Sequence, residues 1–310
     1  MRGYFCLLVF ALGCGSTKTF QDDGGGPDGS SPDDSGVVDS SMFNDTGTLD
    51  AAPPVGEVYG HSPTSLYKLE PFSKTIATLG NFDCLVACGM LQTGCGMWDI
   101  AIDEKGNMIG TGVTALSQIQ AAGTLVSIDK ATAHCTTIKT LAASSLYPNS
   151  LTFVPAGTVD ANAEALVGYN GDQYVRIDTT TGAITTIGAL NPSQVGTWYS
   201  SGDIVSIKGG KTYLTAKPST DPMYAGVDTI LEVDPKTGVA LKAIGSTGYT
   251  KLWGLGFWAG TAYGFSAAGQ LCAIDLMTGK GTPIPEMGIP PNLAWWGAGV
   301  TTVAPIAPPK

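Results

Sequence analysis

Tyr174-Val175-Arg176-Ile177-Asp178-Thr179-Thr180-Thr181-Gly182-Ala183-Ile184-Thr185-Thr186-Ile187-Gly188 reads as a strand, a tight turn and a second strand. β-Branched residues alternate on both arms. Asp178 carries a short carboxylate suited to accepting turn amides, and Gly182 supplies the positive φ a short hairpin requires. The module recurs as Leu125–Asp129 with Cys135–Leu141, as Ile230–Asp234 with Gly238–Gly245, and as Leu271–Asp275 with Gly279–Ile284. A fifth copy, Leu66–Glu70 with Ile76–Gly80, has Glu70 in place of the aspartate. The anchor acids at 70, 129, 178, 234 and 275 lie about 51 residues apart on average. Strand-only repeats of that length predict propeller blades.

A second element sits between the hairpins. It is Trp98-Asp99-Ile100-Ala101-Ile102, Asn149-Ser150-Leu151-Thr152-Phe153, Gly202-Asp203-Ile204-Val205-Ser206, Trp253-Gly254-Leu255-Gly256-Phe257 and Trp296-Gly297-Ala298-Gly299-Val300. All but the last are followed by a short apolar strand: Met108–Gly112, Ala165–Tyr169, Thr212–Ala216 and Ala262–Phe265. The first hairpin, preceded by Val58–Gly60, lacks a first strand, and Trp296–Ala304 is a first strand without a blade. Pairing the two closes the ring and removes the open sheet edges. The fold class predicted is therefore all-β, a five-bladed β-propeller in which the C-terminal strand is the innermost strand of the first blade.

The propeller accounts for residues 57–310. Residues 1–13 read as a signal peptide, with Arg2 as a minimal basic region and Tyr4–Leu12 as a short apolar stretch. Ala11-Leu12-Gly13-Cys14 resembles the lipobox of bacterial lipoproteins, which implies a lipid on Cys14 and attachment to a membrane through more than one acyl chain. An ordinary signal peptide cleaved nearby is the other reading. Residues 14–56 continue as a tether rich in Gly, Ser, Pro and Asp, too poor in large apolar residues to bury a core. A flexible chain of this length spans on the order of 35 Å root-mean-square.

The chain of 310 residues has a net charge of −10, and eight aspartates of the tether supply most of it. The remaining 18 acidic and 14 basic residues leave the propeller mildly acidic, which argues against nucleic acid as a partner. Glycine, at 42 residues, and a charged fraction of only 14% suit a turn-rich β protein exported from the cytosol. Cell-envelope localisation follows. Export also favours disulfides. Cys84, Cys88, Cys95 and Cys135 form an even set of disulfide candidates whose connectivity stays open, whereas Cys272 aligns with the apolar Tyr67, Val126, Val175 and Leu231 and reads as a buried thiol. No metal site is read from these cysteines, because neither His61 nor His134 has suitable spacing. No cofactor motif is present, nor a Gly-x-Ser-x-Gly elbow or a His-Glu-x-x-His pair.

In a propeller, the loops entering the first strands surround one mouth of the axial channel. That rule places Trp98, Asp99, Asn149, Trp198, Tyr199, Asp203, Trp253, Trp295 and Trp296 as candidate ligand-binding residues, for a glycan, peptide or protein. The competing reading has the tryptophans filling wedges between blades. Asp99 and Asp203 hold equivalent positions two blades apart, so a glycoside hydrolase with two acids at the mouth is the alternative function. A non-catalytic binding or scaffolding module is the leading one.

The phrases Trp-Asp-Ile-Ala-Ile-Asp (98–103), Leu-Thr-Phe-Val-Pro-Ala-Gly (151–157), Trp-Gly-Leu-Gly-Phe-Trp (253–258) and Trp-Trp-Gly-Ala-Gly-Val (295–300) resemble those of uncharacterised predicted lipoproteins of myxobacteria and related bacteria, which share Ile-Asp-x-x-Thr-Gly hairpins. The resemblance spans about residues 57–304 and implies a fold and a compartment, without implying an activity.

Overall fold

A computed structural model describes residues 57–88, 94–192, 197–221, 225–285 and 288–308. The expected signal peptide, Cys14 and the tether lie outside the described residues. Within them the chain forms strands in a regular order. β1 (Val58–His61), β2 (Ser65–Glu70) and β3 (Thr75–Asn81) come first. They are followed by β4 (Gly96–Ile102), β5 (Met108–Ala115), β6 (Ala121–Ile128) and β7 (Cys135–Thr140), then by β8 (Ser150–Val154), β9 (Ala165–Asn170), β10 (Gln173–Ile177) and β11 (Ile184–Ala189). Next are β12 (Trp198–Ser206), β13 (Thr212–Pro218), β14 (Thr229–Val233) and β15 (Ala240–Ser246). The last are β16 (Leu252–Trp258), β17 (Thr261–Ser266), β18 (Leu271–Ile274), β19 (Gly281–Pro283) and β20 (Gly297–Val300). They make five four-stranded antiparallel sheets, and the first has the order β20-β1-β2-β3. The molecule is a five-bladed β-propeller closed by its C-terminal strand.

The closing strand is shorter than the sequence suggests. β20 pairs with β1 from His61↔Gly297 to Val58↔Val300. Beyond it, Thr301 makes a single parallel bridge to Ile102 of the neighbouring blade. The inner strands β4, β8, β12, β16 and β20 contact one another in a complete ring.

The hairpin module repeats residue by residue. Four positions after each anchor acid the backbone is left-handed: Lys74, Ala133, Gly182, Gly238 and Gly279 all have φ between 58° and 80°. The amide of each donates to the carbonyl of its acid, at 2.7–2.9 Å. Each acid also accepts the amide two residues on, as Asp178 does from Thr180 at 2.9 Å and Glu70 from Phe72 at 3.3 Å. Glycine adopts this conformation without a Cβ clash, so the copies with Lys74 and Ala133 are the strained ones.

Packing joins the blades. One cluster, including Tyr59, Met97, Ile100 and Val126, fills the wedge between blades one and two. Leu125, Leu151, Phe153 and Val175 fill the next, and Tyr169, Tyr174, Leu214 and Leu231 the one after. The largest cluster joins blades four, five and one around Leu255, Phe265 and Trp295. Each fully buried large apolar side chain here stabilises the ring by about 1.5–3 kcal/mol relative to exposure. Disulfides Cys84–Cys135 and Cys88–Cys95 resolve the open connectivity. The first ties the link between blades one and two to the edge strand β7. Cys272 is a free, buried thiol in β18.

Candidate functional site

The five inner strands all start at one end of the axis. There Trp98 of β4, Asn149 before β8, Gly202 of β12, Trp253 of β16 and Trp296 before β20 line a recess of about 240 Å³, together with Gly94. The indoles of Trp253 and Trp296 meet edge to face, with centroids 6.0 Å apart and planes at 82°. Trp98 Nε1 donates to the carbonyl of Gly94 at 2.8 Å, which fixes the third indole against the loop closed by Cys88–Cys95. Lys251 Nζ lies 5.9 Å from the centroid of the Trp253 ring.

Four of the nine mouth residues read from the sequence, Trp98, Asn149, Trp253 and Trp296, thus share the recess. Trp295 points the other way. It is fully buried, between Tyr67 and Phe265 at ring distances of 5.2 and 5.1 Å. Neighbouring residues on an extended chain face opposite sides, so a Trp-Trp pair sends one ring to the recess and one to the wedge. Trp198 packs against the cluster between blades three and four, and its backbone is held by the Asn191 side chain at 2.6 and 2.8 Å. Tyr199 is exposed beside it. A register shift between Ser200 and Ile204 separates this pair from the recess lining.

Asp99 and Asp203 lie one residue deeper than Trp98 and Gly202, beneath the floor, and both are fully buried. Their carboxyls are hydrogen-bonded to each other. Asp99 accepts the amides of Ile100 at 2.9 Å and Leu151 at 2.6 Å. Asp203 accepts those of Ile204 at 2.6 Å, Leu255 at 2.7 Å and Ala298. These five amides belong to β4, β8, β12, β16 and β20, one from each inner strand. The innermost edge of every blade has backbone donors with no further strand to pair with. The carboxyl pair satisfies one on each blade and so acts as a hub. Burial pushes both carboxyls well above the usual carboxylate range, with the neighbouring carboxylate adding to the effect at Asp99. The pair titrates as a unit and keeps a proton at neutral pH.

His61, absent from the sequence-derived candidates, completes this layer. Its Nε2 stands 4.0 Å from Asp99 Oδ1. Nδ1 lies 2.9 Å from the carbonyl of Ser62, which can only accept, so Nδ1 carries the proton and Nε2 is a bare acceptor. Nε2 has no hydrogen-bond partner among the described residues. Burial lowers the imidazole to about 4, so it is neutral. Gly297, its ladder partner, must be glycine: a Cβ there would come within 2.3 Å of His61 Nε2 and 2.5 Å of Asp99 Oδ1.

Glycoside hydrolysis needs two carboxyls flanking the scissile bond, roughly 5–9.5 Å apart. Asp99 and Asp203 touch each other, are shut off from solvent and spend their oxygens on backbone amides. They do not present that arrangement, which is a correction to the sequence-derived alternative. Among the described residues, no group of three His, Cys, Asp or Glu side chains could hold a metal ion.

At the other end of the axis, Glu57 bridges Lys68 at 3.2 Å and Lys130 at 2.7 Å beside the end of β20. Since β1 runs antiparallel to β20, Glu57 and the start of β1 lie at the end of the axis opposite the recess.

Fold and site together define a five-bladed propeller with an aromatic recess over a buried carboxyl hub. No protein-family model matches the chain, and no curated protein sequence does. Among solved structures, a nidogen/laminin complex is similar at 10% identity and a TM-score of 0.45, over 79% of this chain and 97% of the other. The PQQ-bound aldose sugar dehydrogenase of Streptomyces coelicolor is similar at 11% identity and a TM-score of 0.41, over 76% and 80%. BamB from Moraxella catarrhalis is similar at 16% identity and a TM-score of 0.28, over 74% and 70%. The propeller assignment rests on the sheet topology of the chain itself.

Proposed function

We propose that the protein is an exported, lipid-anchored propeller of the bacterial cell envelope that binds a ligand in its axial recess and does not transform it. The observation that carries the binding role is the convergence of three indoles, at the starts of three different inner strands, on one open recess. Large aromatic surfaces left exposed together, with a single polar amide beside them, are typical of ligand seats. Asp99 and Asp203, the acids beneath the recess floor, are engaged in holding the blades. Two disulfides fit an oxidising compartment.

Anchoring is tested by Cys14→Ser. The variant is expected in the soluble fraction, with the wild type in membranes and carrying acyl chains by mass spectrometry. A variant that stays in membranes, with no lipid on the wild type, contradicts the anchor.

Binding is tested by titrating full-length protein with saccharides, short peptides, organic cations and neutral aromatics. Trp253→Ala and Trp296→Ala should each weaken the ligand found by about tenfold or more, the size of loss seen when a central aromatic anchor is truncated. Both rings are only part-buried, so the melting temperature should change little. Turnover of a bound saccharide, or binding indifferent to both substitutions, would defeat the proposal.

A further inference from the structure

We infer that the recess is an aromatic cage for a fully alkylated ammonium group, such as a trimethylammonium head. The inference rests on the reading of the recess as a ligand seat and adds the chemistry of what sits there.

Shape is the first argument. Trp253 and Trp296 stand nearly perpendicular, so with Trp98 they enclose a corner instead of offering one flat platform. A corner of about 240 Å³ suits a compact, rounded group better than a sugar ring stacked on a face. Polarity is the second. Indole N–H groups only donate, so among the described residues Asn149 is the one lining side chain that can accept a hydrogen bond. Trp98 Nε1 is already committed to Gly94. A saccharide would bury several hydroxyls without partners, which is costly. A trimethylammonium group has no N–H and asks for none.

Charge is the third. No lysine or arginine lines the recess among the described residues: beneath it lie the proton-holding Asp99–Asp203 pair and the neutral His61, and the buried Lys217 behind Ser201 and Leu252 faces the carboxyl of Asp228 at 3.8 Å. The propeller as a whole has more acids than bases. An alkylated ammonium spreads its charge over methyl groups that can touch several indole faces at once, and tryptophan is the strongest aromatic partner for a cation. Lys251 Nζ, close to the Trp253 ring, shows that this wall already carries an ammonium from the chain itself. That lysine is exposed, so an incoming cation can displace it.

The test uses full-length protein in non-ionic detergent, titrated calorimetrically with choline, with its neutral carbon isostere 3,3-dimethylbutan-1-ol, and with a saccharide panel. Choline should bind about tenfold or more tightly than the isostere, as a desolvated cation–π contact requires. Trp253→Phe should weaken choline several-fold with little effect on the isostere. Lys251→Met should strengthen choline only, because it removes the internal competitor. Equal binding of choline and the isostere would overturn the cage and leave an apolar pocket. Saccharide binding lost in Trp253→Ala, with no choline binding, would overturn the cage while keeping the recess as a ligand seat. Failure of every probe class to bind in a Trp253-dependent way would remove both readings.

Discussion

Asp203→Ala is expected to yield little or no folded protein. The substitution removes the acceptor for the amides of Ile204, Leu255 and Ala298, and it strips Asp99 of its partner. Each buried amide left unpaired costs about 1–3 kcal/mol. Three of them amount to about 3–9 kcal/mol, against a net stability of about 5–15 kcal/mol for a whole domain. The three amides lie on blades four, five and one, so the loss falls where the ring closes. Asp99→Asn should be milder. Its amide group can donate to Asp203 as the protonated carboxyl does, and only one of the two amides at Asp99 loses its acceptor. That variant should fold with a lowered melting temperature. Thermal or urea unfolding of the two variants checks the order, and an Asp203→Ala protein melting near the wild-type temperature would mean that the hub does not hold the blades.

The same pair sets a pH dependence whose sign follows from burial. In the unfolded chain the two aspartates release their protons near the ordinary value of 3.8, whereas in the fold they keep protons to higher pH. Their contribution to stability is therefore fully present below 3.8 and is lost as pH rises through the folded range. His61 works in the opposite sense between about 4 and 6.5, because it is neutral in the fold and protonated in the unfolded chain. Above 6.5 His61 is neutral in both states and no longer offsets the carboxyl pair. Stability should then fall from about pH 7 toward the point, at about 8, where Asp203 gives up its proton in the fold. Asp99→Asn should flatten that slope, which separates titration of the pair from a general loss of packing.

The blades were legible in the sequence because the hairpin is a local structure. An acid, a left-handed residue four positions later and β-branched arms are all set within 15 residues, and the chain writes them five times. Ring closure was legible for a related reason: an unpaired first strand at one end and a blade missing that strand at the other leave one solution. The disulfide partners were not, because Cys84 and Cys135 are brought together by the packing of neighbouring blades across 51 residues. The hub was half legible. Asp99 and Asp203 stood out as equivalent residues, but sequence periodicity does not say whether a side chain at a strand start turns toward the mouth or toward the axis. The demand that decides it, five inner-edge amides without partners, exists only in the closed ring. His61 could have been found by extending the closure register, which sets it opposite Gly297. The contrast between Trp295 and Trp296 could not, since parity around the closing strand is fixed by the wedge that Trp295 fills.

Deleting Trp296–Lys310 should convert the protein to an aggregated or molten product, whereas deleting Gly15–Gly56 should leave the melting temperature nearly unchanged. The C-terminal deletion removes the whole of β20 and its ladder with β1 from His61 to Val58. It also removes the bond from the Trp296 amide to the His61 carbonyl at 2.8 Å, and the carbonyls of Thr302 and Pro305 that accept from Lys208 and Ala259, each at 2.7 Å. The Ala298 amide is lost from the hub. Val58, Tyr59 and His61 are buried strand residues in the intact ring and would become a bare edge at the channel wall. An apolar, unpaired edge of this kind is a template for intermolecular strand pairing, so aggregation is the expected fate instead of a smaller stable fold. Several orphaned amides at about 1–3 kcal/mol each, together with the lost burial of Ala298 and Val300, would exhaust the stability of a typical domain. The tether deletion removes none of these contacts. Scanning calorimetry of the two deletions beside the wild type reads the difference directly. A C-terminally truncated protein that melted cooperatively at the wild-type temperature would show that β20 does not lock the first blade, and the closed five-bladed ring would have to be given up as the basis of stability.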